Sequence, residues 1–323
     1  MIKHLKKILI VSLVFISILI TSTYFIGSYF VDYALVANPK SANRQSTNDL
    51  SKEVQITYNI KNNEEILLDD FLNKHKLNDF TLNTTDGIKI YGHYLKQETY
   101  TPNWVIVVHG YQSSERRSLI IAKEFYKQGF NILTYNLRGH KPSESKYITM
   151  GYYDKYDLKE IMDYVLELDS NAKILLHGTS MGGATVLLTA VLNQNDHLVG
   201  VIDDCGYADL YTIFAKELKY RFNLPSFPVL DMANIVARIK AKFNLKDVSP
   251  IKEVSKINVP ILFIHTSSDD FISVNDTYDL ANQSKDHRLY IAQGFGHADA
   301  YYADKEKYFS EINQFFKDFK IFQ

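Results

Sequence analysis

A single cysteine, Cys205, stands among 323 residues, which excludes an internal disulfide and any zinc site built on cysteines. It follows an apolar run over 198–202 and reads as a small core residue. An excess of charge of either sign is missing as well. The 36 Lys and Arg against 37 Asp and Glu give a net charge of −1, so no electrostatic case exists for nucleic acid. No H-E-x-x-H pair and no glycine-rich phosphate loop occurs. What is present is a 46% hydrophobic content, enough to fill a sizeable core in one large domain or two small ones.

The N-terminus belongs to a different medium from the rest. Lys3, Lys6 and Lys7 precede residues 8–31, which carry no charge until Asp32. A helix over that stretch is long enough to cross a hydrocarbon core. The apolar region is too long for a cleaved signal peptide, and 34–37 makes a poor cleavage site. The expectation is therefore a cytoplasmic segment at 1–7, a transmembrane anchor at 8–31 and a catalytic part on the extracytoplasmic side. Residues 38–49 are polar, with Pro39, Ser41, Asn43, Ser46 and Asn48, and 32–75 as a whole reads as a stalk or linker holding one short amphipathic helix.

From 76 to the end the pattern is that of one folded domain. Asp86-Gly87 between two alternating β-forming runs predicts a hairpin. A fully apolar strand follows at 104–108 and further strands at 130–135, 174–176, 198–202, 261–264 and 289–291, separated by helical patterns at 119–126, 156–168, 184–191 and 309–322. Such alternation means βαβ units and a mostly parallel sheet with helices on both faces. Sites in such folds sit at the carboxyl ends of the strands. Residues 207–246 break the pattern. They carry two helical repeats around Pro225 and Pro228 and no strand, and read as a helical cap inserted over the sheet edge.

The chemistry is concentrated in Gly178-Thr179-Ser180-Met181-Gly182-Gly183, at a strand-to-helix corner. A serine on such a turn is held in a strained conformation that exposes its hydroxyl, and the following helix N-terminus favours developing negative charge. Three other strand ends supply what a nucleophilic serine needs. His109-Gly110-Tyr111 can aim a backbone N–H, that of Tyr111, at an oxyanion, with the Met181 N–H as second donor. In that loop His109 reads as a brace. Asp269 and Asp270 compete as the acid that orients an imidazole, and Asp203 and Asp204 are a remoter choice. His297, flanked by Gly294 and Gly296, completes the order Ser, Asp, His.

With these residues the chain resembles the α/β-hydrolases over roughly residues 76–322. More narrowly it is similar to single-pass, membrane-anchored bacterial hydrolases of the esterase and prolyl-peptidase-like branch. The strand-end motif H-G-x-x-D-x-x-V reads His265 to Ile272, which aligns Asp269 with the acid and places Thr266 where a glycine is usual. The D-x-R-G-H-G-x-S loop reads Asn136 to Ser143, with Asn136 and Lys141 as departures; Arg138 and His140 resemble loop anchors. The resemblance implies an α/β-hydrolase fold and cleavage of a carboxyl ester or amide by Ser180, His297 and Asp269, without a cofactor or metal. The aromatic cap (Phe214, Tyr220, Phe222, Phe227) suits an apolar acyl or aromatic group, so a small-molecule ester is expected ahead of a peptide or an acyl acceptor. A silent surface-binding protein on the same scaffold is the reading from another class.

Overall fold

The structure is a computed structural model that describes residues 2–42, 51–192 and 195–322. Of the expected polar linker, residues 43–50 lie outside that description. The chain opens with α1 (Ile2–Leu35), followed by the short α2 (Pro39–Ala42) and by α3 (Ser51–Lys74). Next come β1 (Asn78–Asn83), β2 (Lys89–Leu95), β3 (Asn103–Val108), α4 (Glu115–Lys127), β4 (Asn131–Tyr135), α5 (Asp154–Leu168) and β5 (Lys173–Thr179). Then follow α6 (Met181–Leu192), β6 (Leu198–Asp204), and two cap helices, α7 (Leu210–Phe222) and α8 (Val229–Lys240). The chain closes with β7 (Ile261–Thr266), α9 (Val274–Gln283), β8 (His287–Ala292), α10 (Ala300–Ala303) and α11 (Lys305–Asp318).

The eight strands form one sheet in the order β1-β2-β4-β3-β5-β6-β7-β8. The β1–β2 hairpin turns at Gly87, whose φ of +85° few other residues would accept. β2 is antiparallel to β4, and every pair from β4 to β8 is parallel. Parallel strands need covering on both faces, and the alternation along β3 shows how this is met. Trp104, Ile106 and Val108 face the core made with α5, α6 and the cap. Val105 and Val107 face the core made with α4, α11 and the end of α3. Hence the strand sequence is apolar throughout and all five of these residues are buried.

The helix α1 has two parts. Among its first 26 residues, Leu9, Val11, Phe15, Ile20 and Phe25 are all more than half exposed. It is long and apolar enough to cross a membrane. Past residue 26 it packs on α8 and the cap, and Val31 and Leu35 are buried in the main core. The expected stalk is thus occupied in part by the docked end of α1 and by α3, which runs 24 residues. The α3 helix is pinned through Glu64, which pairs with the buried Lys123 and with Lys305 and accepts from Tyr301 Oη.

Candidate active site

The corner after β5 carries Ser180 in the left-handed region, at φ +59°. A non-glycine residue there costs about 1–3 kcal/mol, which surrounding structure must hold in place. The hold is visible. Ser180 N donates to Asp204 O at 2.7 Å, and Ser180 O accepts from Ala184 N at 3.1 Å as α6 begins. Gly178 makes the corner possible, because a Cβ there would stand 2.1 Å from Gly182 O. The serine is 7% exposed, with its hydroxyl at the floor of two cavities.

His297 enters from the loop after β8, where Phe295 and Ala298 are also left-handed, at φ +64° and +59°. Its Nε2 lies 2.8 Å from Ser180 Oγ, and its Nδ1 lies 2.6 Å from Asp269 Oδ2. Asp269 is fixed from the other side. Its Oδ1 accepts from Phe271 N at 2.9 Å and Ile272 N at 3.0 Å, and its Oδ2 also faces His265 Nε2 at 3.1 Å. Burial would raise the Asp269 carboxyl, but the charge of His297 and the hydrogen bonds of both histidines outweigh it and hold it well below the usual range. Burial in turn would lower the imidazole of His297, and the Asp269 carboxylate outweighs that, so its pKa lies above the ordinary value. An ionised Asp269 accepts only, so Nδ1 carries the proton and Nε2 is left to accept from the Ser180 hydroxyl.

The other acids fall elsewhere. Asp270 lines the wider cavity. Asp203 Oδ1 accepts from Gly206 N, and burial pushes its carboxyl up to about 8. Asp204 Oδ2 accepts from Tyr308 Oη at 2.9 Å, and Tyr308 also meets His177 Nε2 at 2.7 Å, a buried polar chain behind the serine turn. The Cys205 thiol, Asp269 and His297 place their ligand atoms within 4.8 Å of one another, the spacing of a metal cluster. Burial raises the thiol well above its usual range, which disfavours the thiolate that a metal would bind.

Tyr111 and Met181 both border Ser180 in the narrower cavity. A Cβ on Gly110 would stand 3.2 Å from Ser180 Cβ, which brings the backbone leading into Tyr111 against Ser180. Met181 is the first residue of α6, so its N–H has no acceptor within its own helix. Burial and His140 push His109 down to about 3, leaving it neutral. Its Nδ1 meets Gly110 O at 2.8 Å and its Nε2 accepts from Leu137 N at 3.1 Å. His140 Nε2 accepts from Gln112 N at 3.0 Å and holds that left-handed residue. Arg138 is buried between Asp157 and Asp86. Asn136, where the related loops carry Asp, donates from Nδ2 to the buried Glu115 at 3.2 Å; a second carboxylate there would repel the first.

The narrower cavity encloses about 930 Å³, counting its mouth, and is almost wholly apolar. Of the four cap aromatics, Phe214 and Phe222 line it, whereas Tyr220 and Phe227 do not and are 41% and 75% exposed. The wider cleft encloses about 1630 Å³, counting its mouth, and holds His297, Lys61 and Arg117. Two contributions were not legible in the sequence. His265 grips the acid, and Phe30, Val31, Tyr33, Ala34 and Leu35 of α1 wall the narrower cavity.

The serine aminopeptidase S33 family (Hydrolase_4) matches residues 101–206, which run from before β3 to just past β6 and include Ser180. The Bacillus subtilis (strain 168) protein YqkD is 31% identical over 238 residues, covering 73% of this chain and 78% of its own. The AB hydrolase superfamily protein YisY of the same organism is 24% identical, over 69% of this chain and 98% of its own. Among solved structures, the Pyrococcus furiosus esterase Pf2001 superposes with a TM-score of 0.62 at 20% identity, over 76% of this chain and 92% of its own. An acylaminoacyl peptidase of Pyrococcus horikoshii superposes with a TM-score of 0.57 at 19% identity, over 75% of this chain and 41% of its own. The chain belongs to the α/β-hydrolase superfamily.

Proposed function

We propose that this hydrolase cleaves carboxyl esters through an acyl-enzyme on Ser180. The observation that carries the reading is the continuous relay from Asp269 through His297 to Ser180, at 2.6 and 2.8 Å, ending on a serine that lines an apolar cavity. His297 Nε2 takes the hydroxyl proton as Ser180 Oγ attacks the carbonyl carbon. The imidazolium so formed is stabilised by Asp269, and then returns the proton to the leaving alcohol. The N–H groups of Tyr111 and Met181 hold the oxyanion; losing one such donor typically costs about 2.7–4 kcal/mol of transition-state stabilisation. Water activated by His297 then releases the acid.

An ester is favoured over the free-amine peptide that an aminopeptidase takes. The narrower cavity is almost wholly apolar, and Glu217, the acid that lines it, is engaged by Arg221 Nε at 2.8 Å, which suits an uncharged acyl group. In this reading α1 crosses the membrane, Lys3, Lys6 and Lys7 keep its start in the cytoplasm, and the hydrolase domain lies outside. The test is turnover of p-nitrophenyl esters against amide analogues by the full chain in detergent, beside Ser180→Ala. Ester activity that survives Ser180→Ala, or amide turnover that exceeds ester turnover, would refute the proposal.

A further inference from the structure

The helix α1 changes its surroundings at one point. Phe25 and Ile26 are 68% and 39% exposed, on a helix that has been bare and apolar up to there. Gly27 is buried so closely on α8 that a Cβ would stand 2.5 Å from Met232 O. Beyond it Lys240 Nζ reaches Asp32 at 2.7 Å, and Phe222 meets the rings of Phe30 and Tyr33 edge-on at 5.1 and 5.2 Å. Leu35 O accepts from Ile148 N and Ala34 O from Tyr111 Oη, both at 2.7 Å. The end of α1 is therefore fastened to the cap and to the loop that follows β3.

That same end faces the reaction. Phe30, Val31, Tyr33, Ala34 and Leu35 share one apolar cavity with Ser180 and Met181. At 1.5 Å per residue, Phe30 lies only about 6 Å along the axis past Ile26, and Leu35 about 13.5 Å. We infer that the anchor helix is itself a wall of the acyl pocket, and that the substrate is a membrane-lipid ester whose acyl chain reaches Ser180 along α1. The inference rests on the serine-ester reading above and names its substrate class. Each methylene moved from apolar surroundings into water carries a penalty of roughly fourfold in equilibrium. A chain that passes from the bilayer into a pocket walled by the membrane helix avoids that penalty. The carbonyl carbon then meets Ser180 Oγ, and the alcohol portion, protonated by His297, leaves through the wider cleft that holds Lys61 and Arg117.

The test uses the full chain in vesicles of phosphatidylcholine and phosphatidylglycerol, with p-nitrophenyl acetate, p-nitrophenyl palmitate and acyl-labelled phosphatidylglycerol as probes. Val31→Trp fills the pocket from the α1 side, and Phe30→Trp, at a half-buried ring, stands in should the first variant fail to fold. The ratio of kcat/KM for palmitate to that for acetate is expected to fall about tenfold or more, the size of effect that pocket contacts produce. Labelled acid is expected from lipid in the same vesicle as the protein, and far less from lipid in separate protein-free vesicles. An unchanged ratio in a folded variant, or equal release from separate vesicles, overturns the inference while Ser180-dependent acetate hydrolysis keeps the serine-ester reading intact. No acetate hydrolysis by the folded wild type overturns both.

Discussion

Replacing Asp269 by Asn leaves the shape of the site nearly unchanged, reverses the hydrogen bond to His297 and removes the carboxylate oxygen that faces His265 Nε2. The two backbone donors at Phe271 and Ile272 fix which side-chain atom must accept, so the amide oxygen takes the place of Oδ1. The amide nitrogen then takes the place of Oδ2, 2.6 Å from His297 Nδ1. A donor at that position requires Nδ1 to accept, which moves the imidazole proton to Nε2. His297 would then present a proton to Ser180 where it must receive one, and no carboxylate would stabilise the imidazolium. The corresponding change in a serine protease triad lowers kcat by about 10⁴, and a loss of that order, about 5.4 kcal/mol in barrier, is expected here. The assay is kcat/KM on a soluble p-nitrophenyl ester across pH. Wild-type activity falls as pH drops through the pKa of His297, which Asp269 places above the ordinary histidine value of about 6.5. In Asp269→Asn that inflection shifts to lower pH. Asp270→Asn should cost far less, because the two backbone donors and His265 converge on Asp269. An Asp269→Asn enzyme that keeps a tenth of its activity while Asp270→Asn loses it would refute the assignment.

Ser180→Ala should abolish ester turnover without lowering Tm, because it removes a hydroxyl from a strained residue whose backbone bonds remain; differential scanning fluorimetry beside the assay checks both. Asp203, protonated in the fold at neutral pH but ionised when unfolded, makes stability decline as pH rises between about 4 and about 8, by up to about 1.4 kcal/mol per unit. Asp203→Asn should flatten that slope, so its Tm gains on wild type from pH 6 to pH 8, and parallel melting curves would contradict this. Phe222→Ala removes ring contacts to Tyr29, Phe30 and Tyr33, each worth about 0.5–1.5 kcal/mol, and should lower stability by about 2–4 kcal/mol in denaturant unfolding.

The sheet was legible because each central strand is apolar on both faces, a pattern that parallel strands buried between helix layers demand. The serine corner was legible because a steric need, glycine at 178, coincides with a chemical one. His297 could be picked from ten histidines by chain order, and Asp269 from its neighbour only by resemblance. The structure supplies the physical difference, since two consecutive N–H groups and His265 converge on Asp269. What the sequence concealed lies where one element serves two media. An apolar helix reads the same whether its residues meet lipid or protein, so the docking of 27–35 onto the cap left no mark beyond Gly27 and Asp32. Likewise α3 is polar over most of its surface, and its attachment depends on Glu64 meeting two lysines from distant parts of the chain.

The central claim is that Ser180 is a nucleophile activated by His297. Its most direct test is fluorophosphonate treatment of the full chain in detergent, followed by mass spectrometry of the peptide carrying residues 173–192. The account predicts a stoichiometric adduct on Ser180 in wild type, none in Ser180→Ala, and labelling slowed at least about a hundredfold in His297→Ala, the low end of what a general base contributes. An adduct on another residue, or one on Ser180 that forms as fast without His297, would contradict it.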